Sequence, residues 1–198
     1  MDWLSILQII LLFIVPVLLF ILKIIPMKYR IVFLTIITLL TLLIVFFEKW
    51  SFQKLGIRFD NFKSALLPYG VFVLIGVVGI IIVALIMGKT TIPHWWQLSH
   101  LQYGFLILAI FQEFLYRGYL IVKLQEIFIN PVWIILINAI LFSFLHIIYG
   151  DWSIVVPITF IGGLTFAGIY FYYPNLILVT ISHAIFNFVT VLFGFFKV

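Results

Sequence analysis

The sequence predicts an all-α fold, a polytopic transmembrane helical bundle of about seven spans, and three observations carry that prediction. Hydrophobic residues make up 66% of the 198-residue chain and charged residues only 9%, with a mean hydropathy of +1.36. No water-soluble domain hides that much apolar surface. Several apolar runs approach the roughly 20 residues that cross about 30 Å of hydrocarbon as a helix, whereas a barrel strand needs only about 9 to 11. Turn-forming residues fall between those runs: Pro26, Gly88, Pro93, Pro131, Gly150 with Asp151, and Pro174 with Asn175.

The expected spans are residues 3–22, 31–47, 65–87, 101–121, 131–149, 152–173 and 175–196. The first is led by Asp2, is too long for a signal-peptide core and is followed by no small-x-small cleavage site, so it reads as a retained span. Residues 48–63 interleave charge with Trp50, Phe52, Leu55, Ile57, Phe59 and Phe62, the composition of a segment lying in the membrane interface. Residues 88–100 form a polar connection in which Trp95 and Trp96 anchor His94 and His100 at the interface. The turns at Gly150 and Pro174 are short enough to make the last three spans antiparallel neighbours. Together these form a single membrane domain, 1–198, whose residues 1–64 are the N-terminal spans and interfacial segment.

The net charge of +5 comes from side chains near span ends, including Lys23, Lys28, Arg30, Lys49, Lys54, Arg58 and Lys63. Anionic lipid head groups are their natural partners, and no nucleic-acid motif competes. Lys and Arg divide five against five between the two sides, so charge bias leaves the orientation open. The absence of cysteine excludes disulfides, thiolate metal sites and cysteine nucleophiles.

Few strongly polar residues lie inside the spans: Gln112, Glu113 and Arg117 in the fourth, Asn138 and His146 in the fifth, His183 and Asn187 in the seventh. A charge at the centre of a span costs about 2.5 to 3.5 kcal/mol, so such residues face the bundle interior and have a partner or a task. At a rise of about 1.5 Å per residue, Glu113 and His183 both fall roughly 18 Å from the side where the fourth span begins, and His146 roughly 8 Å from it. Glu113 with Arg117, Phe142 with His146, and His183 with Asn187 are i,i+4 pairs, each on one helical face. A carboxylate, two imidazoles and a carboxamide supply what peptide hydrolysis needs, a base for water and donors for the oxyanion. Glu113, His146 and His183 equally make a ligand set for a divalent metal such as zinc. The plainer alternatives are an intrahelical Glu113–Arg117 ion pair, interhelical hydrogen bonding by His, Asn138 and Asn187, and 23 phenylalanines that serve packing.

These motifs resemble those of the CPBP family, the CAAX proteases and bacteriocin-processing enzymes also called Abi. "QEFLYRG" is similar to its Glu-Glu-x-x-x-Arg motif, "FSFLH" to Phe-x-x-x-His through Phe142 and His146, and "HAIFN" to His-x-x-x-Asn through His183 and Asn187. The resemblance covers about residues 100–190 in the family's motif order. It implies an intramembrane endopeptidase acting on membrane-associated peptides or proteins, multi-pass in a prokaryotic cell membrane. Glu113 then stands as the second motif glutamate, Arg117 as the motif arginine, His146 and His183 as the motif histidines, and Asn187 as the motif asparagine. The family is usually labelled metalloprotease, which implies zinc, and a metal-free mechanism is also proposed for it; no His-Glu-x-x-His signature demands a metal here.

One departure falls on the first motif glutamate, which is Gln112 in this chain. A carboxamide positions water but does not take its proton at neutral pH. Glu113 or an imidazole then supplies the base, or the chain is a catalytically inactive membrane scaffold or immunity protein that binds a protein partner. A small transporter with a proton relay is a third reading, weakened by the lack of an internal repeat.

Overall fold

The computed structural model describes residues 2–97, 99–149 and 152–195, with backbone alone for 99–105 and 154. Among the described residues the chain forms seven helical rods. They are α1 (Trp3–Ile21), α2 (Arg30–Phe47) and α3 (Phe62–Ile86). A fourth rod runs from α4 (Ser99–Glu113) through a π-helical turn, Phe114–Leu120, into α5 (Ile121–Ile127). The last three are α6 (Pro131–His146), α7 (Trp152–Tyr172) and α8 (Leu176–Leu192). Five of the rods, containing α1, α2, α3, α6 and α7, are long and apolar enough to cross a membrane. The chain is accordingly an all-helical integral membrane protein.

Local chemistry sets the ends of these rods. α1 and α2 both stop at a lysine in the left-handed region, Lys23 and Lys49, each at φ 56°. The following amides close the last turn, Ile24 N to Leu19 O at 3.0 Å and Trp50 N to Val45 O at 3.1 Å. Asn130 caps α6, its Oδ1 accepting from Val132 N at 2.9 Å with Pro131 at the first helical position. Asn175 caps α8 by accepting from Leu178 N at 3.1 Å.

Three sequence expectations need correction. The fourth rod does not end near residue 121 but runs to Ile127, where Lys123 and Glu126 pair with each other at 3.2 Å within the helix. The seventh rod ends at Leu192, before Gly194 turns the chain at φ +65°. The last three rods are neighbours to unequal extents. α6 and α7 pack closely, with a Cβ at Gly163 falling 3.0 Å from Ala139 Cα, whereas α8 lies mainly against α4 and α3 and meets α7 through Phe166. Its start is tied elsewhere: Asn175 Nδ2 donates to Arg58 O and Asn61 Oδ1, and Leu176 N donates to Gly56 O. The Gly150–Asp151 turn, the expected span end at 196 and the His100 side chain lie outside the described residues.

The segment expected at the interface, residues 48–63, forms turns and no crossing helix through Asn61, and its last two residues open α3. Leu55 is buried beneath it, and its carbonyl accepts from the Tyr170 hydroxyl at 3.0 Å. Gly56 has φ +77°, and a Cβ there would lie 2.0 Å from that same hydroxyl, so the position requires glycine. Phe13 of α1 meets Tyr116 edge-on at 5.2 Å, and Trp50 stacks on Tyr119 at 5.3 Å. Both contacts seat the N-terminal part of the chain on the π-helical turn.

Candidate active site

The site is built on the π-helical turn, where all seven residues from Phe114 to Leu120 are buried. π-helical turns inside α-helices recur at functional sites. Glu113 and Arg117 flank its start and are both 0% exposed. Arg117 Nη1 donates to Glu113 Oε1 at 3.0 Å. The same oxygen accepts from His183 Nδ1 of α8 at 2.6 Å. The equal depths read from the sequence for Glu113 and His183 thus correspond to direct contact.

Phe142 stands at the centre of the cluster. The Arg117 guanidinium lies 4.4 Å from its ring centroid and 5.2 Å from that of Phe166. The His146 and His183 rings lie 4.7 and 5.9 Å from Phe142. Phe142, the motif phenylalanine one turn from His146, therefore contacts both imidazoles and stacks under the cation. Phe166 of α7, which no motif marks, contacts His183 at 5.1 Å. It carries no polar atom, so composition gave no reason to select it.

The two imidazoles share one hydrogen-bonding pattern. His146 Nδ1 sits 2.8 Å from Phe142 O, one turn back on its own helix. A carbonyl only accepts, so Nδ1 carries the proton and Nε2 of the neutral ring keeps its lone pair. His183 Nδ1 faces a carboxylate oxygen and is likewise the donor, leaving its Nε2 for other work. Asn187 lies one turn beyond His183 on α8 and is half-buried.

Gln112 does not join this cluster. It is 6% exposed, and one step round the helix from Glu113 it lines a separate small cavity. Phe13 and Phe20 of α1, Arg30 and Phe33 of α2, and Tyr149 share that cavity. His94, expected at the interface, sits edge-on to Trp96 at 5.4 Å and takes no part in the site.

Asn138, read from the sequence as interhelical glue, is 0% exposed and donates through Nδ2 to the Tyr116 carbonyl of the π turn at 2.6 Å. Four buried polar atoms here have no partner among the described residues: Glu113 Oε2, Arg117 Nε, Arg117 Nη2 and Asn138 Oδ1. Each such atom costs about 1 to 3 kcal/mol if it stays unsatisfied. That expense concentrated in one place marks the cluster as more than packing.

Among the described residues no three His, Asp or Glu side chains are grouped closely enough to hold a metal ion. Glu113 Oε1 is engaged by Arg117 and His183, whereas Nε2 of His146, Nε2 of His183 and Oε2 of Glu113 are not used by these bonds. Glu113, His146 and His183, the zinc set expected from the sequence, are thus not grouped as ligands in this arrangement.

The family model of the type II CAAX prenyl endopeptidase Rce1-like proteins matches residues 93–189, a stretch that begins before α4 and ends within α8. No curated protein and no solved structure matches the chain. The match contains all three motifs and every residue of the Glu113–His183 cluster, and over residues 93–189 it supports membership of the CPBP (Abi) family.

Proposed function

We propose that this protein is an intramembrane endopeptidase that hydrolyses peptide bonds of membrane-associated substrates by a metal-free mechanism. The observation that carries the reading is the 2.6 Å contact of His183 Nδ1 with the buried Glu113 carboxylate. It orients the ring and leaves Nε2 to act as a base. In the reaction His183 Nε2 takes a proton from water while the water oxygen bonds to the carbonyl carbon. The imidazolium then returns that proton to the amine nitrogen as the C–N bond breaks. Glu113 stabilises the imidazolium, and Arg117 holds the Glu113 carboxylate in place through its Nη1 hydrogen bond to Oε1. His146 Nε2 is a second acceptor that holds the water, the Asn187 carboxamide donates to the oxyanion, and Gln112 orients water or substrate without taking a proton.

The test is cleavage of a membrane-peptide library, prenylated and unprenylated, by protein reconstituted in liposomes. Activity is expected to vanish in His183→Ala and to fall steeply in His146→Ala and Glu113→Gln; activity untouched by all three changes removes the assignment.

A second reading rests on Gln112, which lies apart from the Glu113–His183 cluster and replaces the family's first glutamate. In that reading the chain is a non-catalytic membrane scaffold for a protein partner. Gln112→Glu separates the two: gained cleavage marks a silenced protease, and continued silence with a stoichiometric co-purifying protein supports the scaffold.

A further inference from the structure

The hydrolytic reading leaves four buried polar atoms around Arg117 unused. Arg117 Nη1 holds Glu113 Oε1, while Nε and Nη2, donors on the same guanidinium plane, have no partner among the described residues. Glu113 Oε2 and Asn138 Oδ1 are acceptors in the same condition. All three residues are 0% exposed, so bulk solvent does not supply what is missing. Asn138 lies one turn before Phe142 on α6, and Phe142 carries the Arg117 guanidinium at 4.4 Å from its ring centroid. The Asn138 carboxamide therefore sits on the α6 face that meets the π turn, as its 2.6 Å bond to Tyr116 O also requires.

Two donors and two acceptors are the complement of a water molecule, which accepts twice and donates twice. Buried waters typically make about 3 such bonds to groups that lack protein partners. We propose that Arg117, Glu113 and Asn138 enclose a buried water site, and that Asn138 is a positioning residue of the Glu113–His183 pair. Water there accepts from Arg117 Nε and Nη2 and donates to Glu113 Oε2 and Asn138 Oδ1. Asn138 clamps the π turn with its Nδ2 and, through water, fixes the carboxylate whose other oxygen holds His183. A carboxylate anchored at both oxygens has one orientation to impose on the ring it steers.

Two measurements on the full chain in lipid nanodiscs test this. The first is an experimental structure at a resolution that shows ordered water. A peak within hydrogen-bond distance of Arg117 Nε and Glu113 Oε2 is expected, and a dry site or one filled by a side chain overturns the proposal. The second compares Asn138→Leu with Asn138→Ala through the ¹⁵N resonance of the His183 imidazole. Leucine fills the volume and expels the water as well as losing the Nδ2 bond to Tyr116 O, so it is expected to shift the resonance strongly; alanine loses that bond but leaves room for a second water, so it is expected to shift it less. If Asn138 only fills space the order reverses, with alanine the more disruptive, and that order overturns the positioning role, as does an unmoved resonance in both. Should Asn138→Leu fail to fold, the wild-type water peak decides the water site, and the alanine resonance decides the positioning role, a shift supporting it and a wild-type value overturning it. A chain that cleaves nothing still yields both readouts, which separates the failure of this inference from that of the hydrolytic reading.

Discussion

Two clusters of carboxylates and cations sit on the same helical rod, and they are finished differently. At the start of the π turn, Glu113 and Arg117 are wholly buried and share one hydrogen bond, with three of their polar atoms left over. Farther along, Lys123 is 2% exposed and its Nζ binds Glu48 Oε2 at 2.7 Å and Glu126 Oε2 at 3.2 Å. Gln8 and Trp50 donate to Glu48, and Ser5 donates to Glu126. Tyr119 closes the network by donating to Gln8 Oε1 at 2.9 Å. The second cluster joins α1, the interfacial segment and α5 with its charges satisfied, which is how a buried ion pair serves a fold. The first leaves polar atoms without a partner among the described residues, beside two imidazoles, and so does not have the finish of a structural ion pair.

Variants that touch each cluster should therefore fail in different ways. The largest effect is expected from His183→Ala, which should lower cleavage in liposomes by about 10² to 10⁴-fold while thermal unfolding changes little. A loss of folding equal to the loss of activity would erase the contrast. Next comes Lys123→Met, expected to destabilise the fold by about 1 to 3 kcal/mol. That is below the figure for breaking a fully buried pair, because Glu48 and Glu126 keep some solvent. Chemical denaturation in detergent measures it, and cleavage per folded molecule should match wild type.

Acid should probe the same network. Burial alone would raise the Glu48 carboxyl, but hydrogen bonds from Lys123, Gln8 and Trp50, with the nearby Lys123 charge, hold it below its ordinary value. A folded pKa lowered in this way contributes stability that is complete above the unfolded value of about 4.3 and is lost as pH falls through the folded one. The melting temperature should thus drop below about pH 4, more steeply in wild type than in Glu48→Gln. The smallest effect belongs to Arg58 and Asp60, whose ion pair is exposed at the interface. Arg58→Ala should leave the melting temperature unchanged within error.

How far the sequence carried each part follows from what kind of signal each part emits. Hydropathy located the rods because crossing hydrocarbon demands long apolar runs, and the polar cluster stood out because charge is rare within such runs. Glu113 and His183 could be matched in depth from helix rise alone. Azimuth was another matter: Gln112 and Glu113 are adjacent in sequence, yet one faces the cavity beside α1 and α2 and the other faces α8. A π turn breaks the 3.6-residue count on which face assignments rest, and no composition signal announces it. The path of α8 was equally hidden, since it depends on Asn175 reaching back to Arg58 and Asn61, far away in sequence. The role of Lys123 was hidden for a related reason. Its partner Glu48 lies far away in sequence and reaches it only in the fold.

The π turn also fixes a phase relation along the rod. Each switch from i,i+4 to i,i+5 bonding accommodates one extra residue, equivalent to about 100° of rotation in a regular helix. Deleting one residue between Phe114 and Leu120 would restore regular geometry and turn everything after it by that angle. Either Glu113 would keep facing α8 while Lys123 swung out of its pocket, or Lys123 would stay and Glu113 would swing away from His183. In register terms, this segment works as a spacer whose single surplus residue lets one straight rod serve two polar clusters on different faces.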